Sequence, residues 1–373
     1  MKKRCTLAMV SPDVNLRSET FIEAQRTLID ADVKFYYKGS PPTMFKGMHL
    51  TKQNLFTIVQ YELRRRLGLT PLDSLLEVPV TASFRREKIE VVLAQFGTTG
   101  VAILNTCKLL KLPLIVHFHG ADASIKELLN TYHEEYLRMF DYATYIIAVS
   151  KLMQQRLIEM GAPAQKIIYN PCAPNDAFFQ IQRDPQGKLF VGAGRFTDKK
   201  APYYTILAFQ KVLKHHPDAQ LILAGTGELW DACRNLVDFL GLNNNVTLPG
   251  AYNATTLQEW FSKATAFVQH SLTPSSGDME GTPVVVMEAS AAGLPVISTF
   301  HAGIPDVIID NVTGLLVKEH DIEGMANNMC KLLDNKELSV SMGQAGRKNI
   351  KENFSMQKHI AVLNELVNNC AKI

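Results

Sequence analysis

The chain has no uninterrupted run of eighteen apolar residues, so no membrane-crossing helix is expected. Its six cysteines (Cys5, Cys107, Cys172, Cys233, Cys330 and Cys370) are scattered, with no close pair. That argues against a disulfide framework or a cysteine zinc site, and for a reducing cytoplasm. No Gly-x-Gly-x-x-Gly follows the first apolar run, which argues against a dinucleotide oxidoreductase. Net charge is only +3, and no aromatic pattern accompanies the basic residues, so nucleic acid is not an expected partner. His117 and His119 are spaced like a metal-binding His-x-His, but no third ligand is evident. Asp30-Ala31-Asp32 reads as a solvated turn between a helix and a strand rather than a metal site. There is no short internal repeat.

What is present fits a globular protein of two domains: 373 residues, 46% hydrophobic and 20% charged. Positive charge is concentrated in residues 1–170, where Arg64-Arg65-Arg66, Arg85-Arg86 and Lys88 cluster. The ordinary reading is a solvated helix face; the functional one is contact with anionic lipid or a lipid-linked pyrophosphate acceptor. Met1-Lys2-Lys3-Arg4 is spelled like the basic start of a signal peptide. The apolar stretch after it is short and meets Ser11-Pro12-Asp13, so it is read as the first strand.

Strand and helix patterns alternate along the whole chain, which predicts α/β architecture with parallel sheets flanked by helices. Strands are expected at 6–10, 33–37, 91–95, 114–117 and 145–149. A second series is expected at 189–191, 220–224, 246–248, 266–269, 296–298 and 314–317. Segment 40–88 contains Ser40-Pro41-Pro42 and is expected to form mobile helices and loops. Asn170-Pro171-Cys172-Ala173-Pro174 and Asp184-Pro185-Gln186-Gly187 mark a linker. The expected boundaries are 1–172, a linker at 173–187, 188–350, and a C-terminal helical segment at 351–373.

Two segments carry chemistry. In Glu280-Gly281-Thr282-Pro283-Val284-Val285-Val286-Met287-Glu288, two carboxylates stand about two helical turns apart. If a helix starts here, Glu280 lies in the loop before it and Glu288 on it, both able to face one cleft. Carboxylates beside the free N–H groups of a helix start suit a ligand with hydroxyls and phosphates. In the second segment, Leu189-Phe190-Val191 reads as a buried strand, and Gly192-Ala193-Gly194 turns the chain out of it. Arg195 and Lys200 then fall at the C-terminal edge of a sheet, where open α/β sheets bind ligands. A guanidinium fork with an ammonium suits a diphosphate.

Together these pieces resemble a retaining glycosyltransferase of family 4 with the GT-B fold. The resemblance covers roughly residues 90–335. It runs in order through His119-Gly120-Ala121-Asp122, Ala148-Val149-Ser150, Gly194-Arg195 with Lys200, and Ala224-Gly225-Thr226-Gly227. It continues through Glu280 to Glu288, Ala302-Gly303-Ile304-Pro305-Asp306 and Thr313-Gly314-Leu315-Leu316-Val317. Ser18-Glu19-Thr20-Phe21-Ile22 and Phe118-His119-Gly120 are similar to the bacterial exopolysaccharide branch of the colanic-acid type.

The resemblance implies two facing Rossmann-like domains, the C-terminal one holding a nucleotide sugar and the N-terminal one serving the acceptor, with the C-terminal helix at 351–373 crossing back to the N-terminal domain. His119 is then expected to face the donor sugar and Glu280 to bind its hydroxyls. Glu288 is expected to bind the ribose, and Arg195 and Lys200 the diphosphate. Gly194, Gly225, Gly281, Thr282, Pro283 and Asp122 complete the expected donor site. No bound cofactor or metal is expected; the donor is a UDP- or GDP-sugar. The acceptor is a glycan or a lipid-linked glycan, with peripheral membrane contact from a cytoplasmic protein. The alternative is a non-catalytic nucleotide-sugar-binding subunit that supports a partner transferase. Such a subunit should lose the charged residues, and Arg195, Lys200, Glu280 and Glu288 are all present.

Three departures stand out. No Gly–Gly occurs in the loop after the first strand, where Ser18 is read as a helix cap. Lys200 is followed by Ala201 where Gly is usual. Asn170 is followed by Pro171 where Gly is usual, which should stiffen the hinge.

Overall fold

A computed structural model describes residues 4–13, 20–50, 55–68, 72, 74–185 and 187–372. Ser18 and the rest of the loop at 14–19 lie outside the described residues. The chain divides into two compact units, Met1–Asn170 with His359–Ile373, and Pro171–Lys358.

The first unit is built on an eight-stranded sheet. Its strands are β1 (Thr6–Val10), β2 (Asp32–Tyr37), β3 (Met44–Phe45), β4 (Met48–His49), β5 (Val91–Gln95), β6 (Leu114–His117), β7 (Tyr145–Ala148) and β8 (Ile167–Tyr169). Their spatial order is β4-β3-β2-β1-β5-β6-β7-β8. From β2 to β8 the neighbours are parallel. The central strands are apolar and buried on both faces, with Leu7, Met9, Val91, Leu93 and Leu114 fully covered, as parallel sheets require.

The edge departs from the expected parallel pattern. In segment 40–88, β3 and β4 form an antiparallel hairpin on β2. Its two-residue turn, Lys46-Gly47, takes φ +49° and +75°, the signs of a type I′ turn. Helices Leu55–Arg66 and Glu77–Glu87 follow. Two-residue strands carry no readable alternation. β8 was not foreseen either, because Asn170-Pro171 follows it directly.

The second unit has an all-parallel six-stranded sheet. Its strands are β9 (Leu189–Ala193), β10 (Gln220–Ala224), β11 (Val246–Gly250), β12 (Ala266–Val268), β13 (Val296–Thr299) and β14 (Gly314–Val317). The order β11-β10-β9-β12-β13-β14 reverses direction between β9 and β12. At such a switch point the connecting loops part and leave a crevice at the strands' C-terminal ends. The same reversal occurs between β1 and β5 in the first sheet.

Residues 173–185, read as linker, lie on the second unit. Phe178 is buried there, and Arg347 donates to the carbonyls of Ile181 and Phe179. Arg183 donates to the carbonyls of Gly293 (2.5 Å) and Ala264 (2.7 Å). The helices Lys336–Asn353 and Met356–Cys370 occupy the C-terminal stretch, and from His359 onward the chain belongs to the first unit.

Candidate active site

In the second unit, β9 runs into Gly194, Arg195 and Phe196, then a 3-10 turn at Asp198–Lys200, then the helix Pro202–Val212. Gly194 donates to the Ala224 carbonyl and Phe196 to the Thr226 carbonyl, so the loops after β9 and β10 lie backbone to backbone. A Cβ on Gly225 would fall 1.7 Å from the Gly194 carbonyl oxygen. Glycine at 225 is therefore set by this packing, whatever a ligand requires. Ala201 sits at φ +34°, in the left-handed region that favours glycine, so the change from Lys-Gly to Lys-Ala carries strain.

Lys200 and Glu280 meet here: Nζ stands 2.9 Å from Oε1, with the side chains 14% and 9% exposed. The neighbouring Lys199 pairs with Asp278 at 2.9 Å and is also buried. Burial alone would push the Glu280 carboxyl up, but Lys200, with Lys199 behind it, holds it down at about 2. Arg195 is exposed and has no ion-pair partner among the described residues. Arg195, Lys200 and Gly194 line one small pocket with Thr205, Val268 and Gln269, at the β9/β12 switch point. Inside it, Gln269 donates to Ser271, while its Oε1 has no partner among the described residues.

The backbone of Glu280 is held separately. Its N–H donates to His301 Nε2 at 3.1 Å, and His301 Nδ1 meets Glu319 Oε1 at 2.7 Å. Glu319 also accepts from the Thr273 N–H at 2.9 Å. A backbone N–H can only donate, so His301 Nε2 is bare and its proton lies on Nδ1. This His301–Glu319 support had no sequence signal: neither residue falls in a recognisable spacing.

The helix Val284–Ala291 begins directly after Pro283, as the sequence pattern predicts. It ends in a Schellman turn, with Gly293 at φ +82° and Leu294 donating to the Ala289 carbonyl. Gly281, Thr282 and Pro283 are buried in the loop before it. Glu288 is half-buried on the helix. Burial pushes its carboxyl up to about 7, against the opposing hydrogen bond from the Asn175 N–H. Glu288 thus keeps a different company from Glu280: Asn175 and Tyr252, with no ion-pair partner among the described residues.

In the first unit, His119 follows β6 and packs against Phe21, Phe96 and His117, at ring distances of 4.8, 4.7 and 4.2 Å. His119 Nε2 bonds Gln95 Oε1 at 2.8 Å. Its Nδ1 is enclosed without a partner among the described residues. Burial pushes His119 down to about 3 and His117 down as well, so both rings are neutral. Asp122 is buried, and its carboxylate accepts the N–H groups of Gly97 (2.9 Å), His119 (3.0 Å) and Gly120 (2.9 Å). It clamps the His119 loop, with both oxygens committed to backbone. Ser150 has a local reason too: its Oγ accepts from the Met153 N–H and caps the helix Lys151–Glu159.

The family model for "Glycosyltransferase Family 4" matches residues 36–175, and that for "Glycosyl transferases group 1" matches residues 175–349. The chain is 31% identical over 301 residues to the amylovoran biosynthesis glycosyltransferase AmsK of Erwinia amylovora, covering 79% of this chain and 74% of AmsK. It belongs to glycosyltransferase family 4. The putative colanic acid biosynthesis glycosyltransferase WcaL of Escherichia coli K12 is 30% identical, over 72% of this chain and 68% of WcaL. Among solved structures, Anabaena HepE in complex with UDP-glucose superposes with a TM-score of 0.78. The match is 14% identical and covers 98% of this chain and 99% of HepE. The fold of this family-4 enzyme is accordingly GT-B.

Proposed function

We propose that this glycosyltransferase moves a hexose from a nucleotide sugar, with retention of configuration, onto a glycan or lipid-linked glycan in bacterial surface polysaccharide synthesis. AmsK and WcaL, named for amylovoran and colanic acid, support the pathway class. HepE, solved with UDP, and with UDP-glucose, supports UDP over GDP as the base. A GDP-mannose-dependent relative from Mycobacterium tuberculosis, 27% identical, favours the other base but covers only 56% of this chain.

The observation that carries the reading is the Lys200–Glu280 pair at the switch point, beside exposed Arg195. Arg195 and Lys200 face the diphosphate and offset the charge that develops on it as the sugar departs. That would make a metal unnecessary. The free N–H groups at the start of the helix Val284–Ala291 add donors for phosphate oxygens. Glu280 takes the sugar hydroxyls and Glu288 the ribose hydroxyls. The second unit holds the donor and the first serves the acceptor, with His119 as the imidazole that attends the transferred sugar.

No helix among the described residues is long and apolar enough to cross a membrane. The helix Leu55–Arg66 and the turn after it expose Val59, Leu63 and Leu67 in steps of four, beside Arg64-Arg65-Arg66. That face supports peripheral contact with an anionic bilayer. Vesicle binding unchanged in the Arg64/Arg65/Arg66→Ser triple variant would remove the electrostatic part of this reading.

The test of the donor site is calorimetric binding of UDP-, GDP- and dTDP-sugars to the wild type and to Glu288→Ala. Binding of one nucleotide, weakened at least about tenfold in the variant, is expected from loss of a two-hydroxyl contact. Equal binding by both proteins removes Glu288 from the site. No binding at all removes the donor-site assignment.

A further inference from the structure

At the switch point of the first sheet, five side chains are hydrogen-bonded end to end. Gln95, at the end of β5, bonds His119 Nε2 through its Oε1 and donates through Nε2 to Gln25 Oε1 at 2.6 Å. Gln25 Nε2 meets His359 Nε2 at 3.0 Å. His359 Nδ1 meets Asn170 Oδ1 at 3.2 Å, and Asn170 Nδ2 donates back to the His359 carbonyl at 3.2 Å. Gln25 and Gln95 are fully buried and His359 nearly so. The line draws on the helix Thr20–Leu28, on β5 and on the last helix, Met356–Cys370, so only the tertiary fold assembles it.

Each link dictates the next. An amide nitrogen can only donate, so His359 Nε2 is bare and its proton lies on Nδ1, against the Asn170 oxygen. An amide oxygen can only accept, so His119 carries its proton on Nε2 and presents Nδ1 as a lone pair. Chains of this kind polarise one another in a dry interior, and a broken one leaves costly unpaired groups. The line contains no carboxylate, lysine or arginine, so what it transmits is direction rather than charge.

We propose that Gln95, Gln25 and His359 are positioning residues that hold His119 in its Nε2–H tautomer. The enclosed Nδ1 is thereby kept as a bare acceptor for a hydroxyl of the carbohydrate substrate. The link to catalysis rests on the reading that His119 attends the transferred sugar; the tautomer itself does not.

The experiment is two-bond 15N–1H correlation on the full chain with 15N-labelled histidine, alongside steady-state kinetics. His119 is expected to be protonated on Nε2 in the wild type. In Gln95→Leu that preference is expected to dissolve into a mixture, with kcat falling about tenfold or more and the donor KM within about twofold. Gln95→Glu keeps an oxygen on His119 Nε2 and is expected to restore the Nε2 proton. Gln25→Leu, one link further off, gives the same tautomer readout should Gln95→Leu fail to fold. A wild-type proton on Nδ1, or ring shifts identical in wild type and Gln95→Leu, overturns the relay. A tautomer change with unaltered kcat overturns the positioning role. Donor binding measured through Glu288 lies in the other unit and does not pass through His119, so its failure would be told apart.

Discussion

The two sheets each reverse direction once, and the side chains gathered at the two reversals differ in kind. At β9/β12 the groups are charged and matched as Lys200–Glu280 and Lys199–Asp278, with Arg195 left exposed. At β1/β5 the linked side chains are neutral: a row of amides and imidazoles runs from His119 to Asn170, while the carboxylate beside it, Asp122, is held by backbone N–H groups. The same topology therefore serves two electrostatic tasks. An ion-paired site can offer positive charge to a diphosphate. A neutral relay can fix which imidazole nitrogen bears a proton, without adding a charge that burial would oppose.

The contrast is tested most severely at Lys200. Lys200→Ala strands a buried carboxylate, so a loss of about 3–5 kcal/mol in stability is expected by denaturant melts. Most of it should return in the double variant with Glu280→Gln, without recovery of donor binding. The pH dependence follows from the sign of the Glu280 shift. Its folded value, about 2, lies below the ordinary 4.5, so its contribution is complete above 4.5 and is lost as pH falls toward 2. Glu280→Gln should flatten that acid limb; an unchanged limb would mean the pair does not govern it.

Breaking the neutral relay should cost less. Gln25→Leu leaves Gln95 and His359 each short of a partner, for a loss of about 1–3 kcal/mol. Because the relay holds no formal charge, that loss should not vary between low and high salt. A strongly salt-dependent loss would contradict a neutral network.

Glu288 sharpens the charged side. Its folded value is raised to about 7, so near pH 6 it holds a proton that the unfolded chain has given up. Its contribution to stability is therefore complete below 4.5 and is lost as pH rises through about 7. A nucleotide ribose that donates two hydrogen bonds to Glu288 favours the ionised form. Donor binding near pH 6 should then release up to about one proton. Calorimetry in buffers of different ionisation enthalpy reads this directly, and zero release would separate Glu288 from the ribose. The smallest effect is expected at Ala201: Ala201→Gly relieves the positive φ and should stabilise by about 0.5–1 kcal/mol. A destabilised variant would show that Ala201 is not strained.

Much of the charged site was legible before any coordinates. Glycines after an apolar run, two cations (Arg195 and Lys200) four and nine residues past its end, and carboxylates eight apart at a helix start are local patterns. Local patterns survive folding, because the strand and helix that carry them are set by nearby residues. Even there, the expectation of one shared cleft for Glu280 and Glu288 meets different neighbours around each. Asp122, a plausible ligand contact by spacing, is spent on three backbone amides.

The amino-acid order alone settled the α/β alternation and the placement of most strands, and it singled out Arg195, Lys200, Glu280 and Glu288 as the candidates for the site. Those follow from apolar runs, turn residues and short-range spacing, which need no knowledge of distant segments. Only the folded chain decided the antiparallel edge hairpin, the His301–Glu319 support and the relay through Gln25, Gln95 and His359. Gln25 and His359 lie 334 positions apart and share no periodicity. They become partners only because the last helix packs into the first unit, and a buried amide must find a partner wherever the fold supplies one.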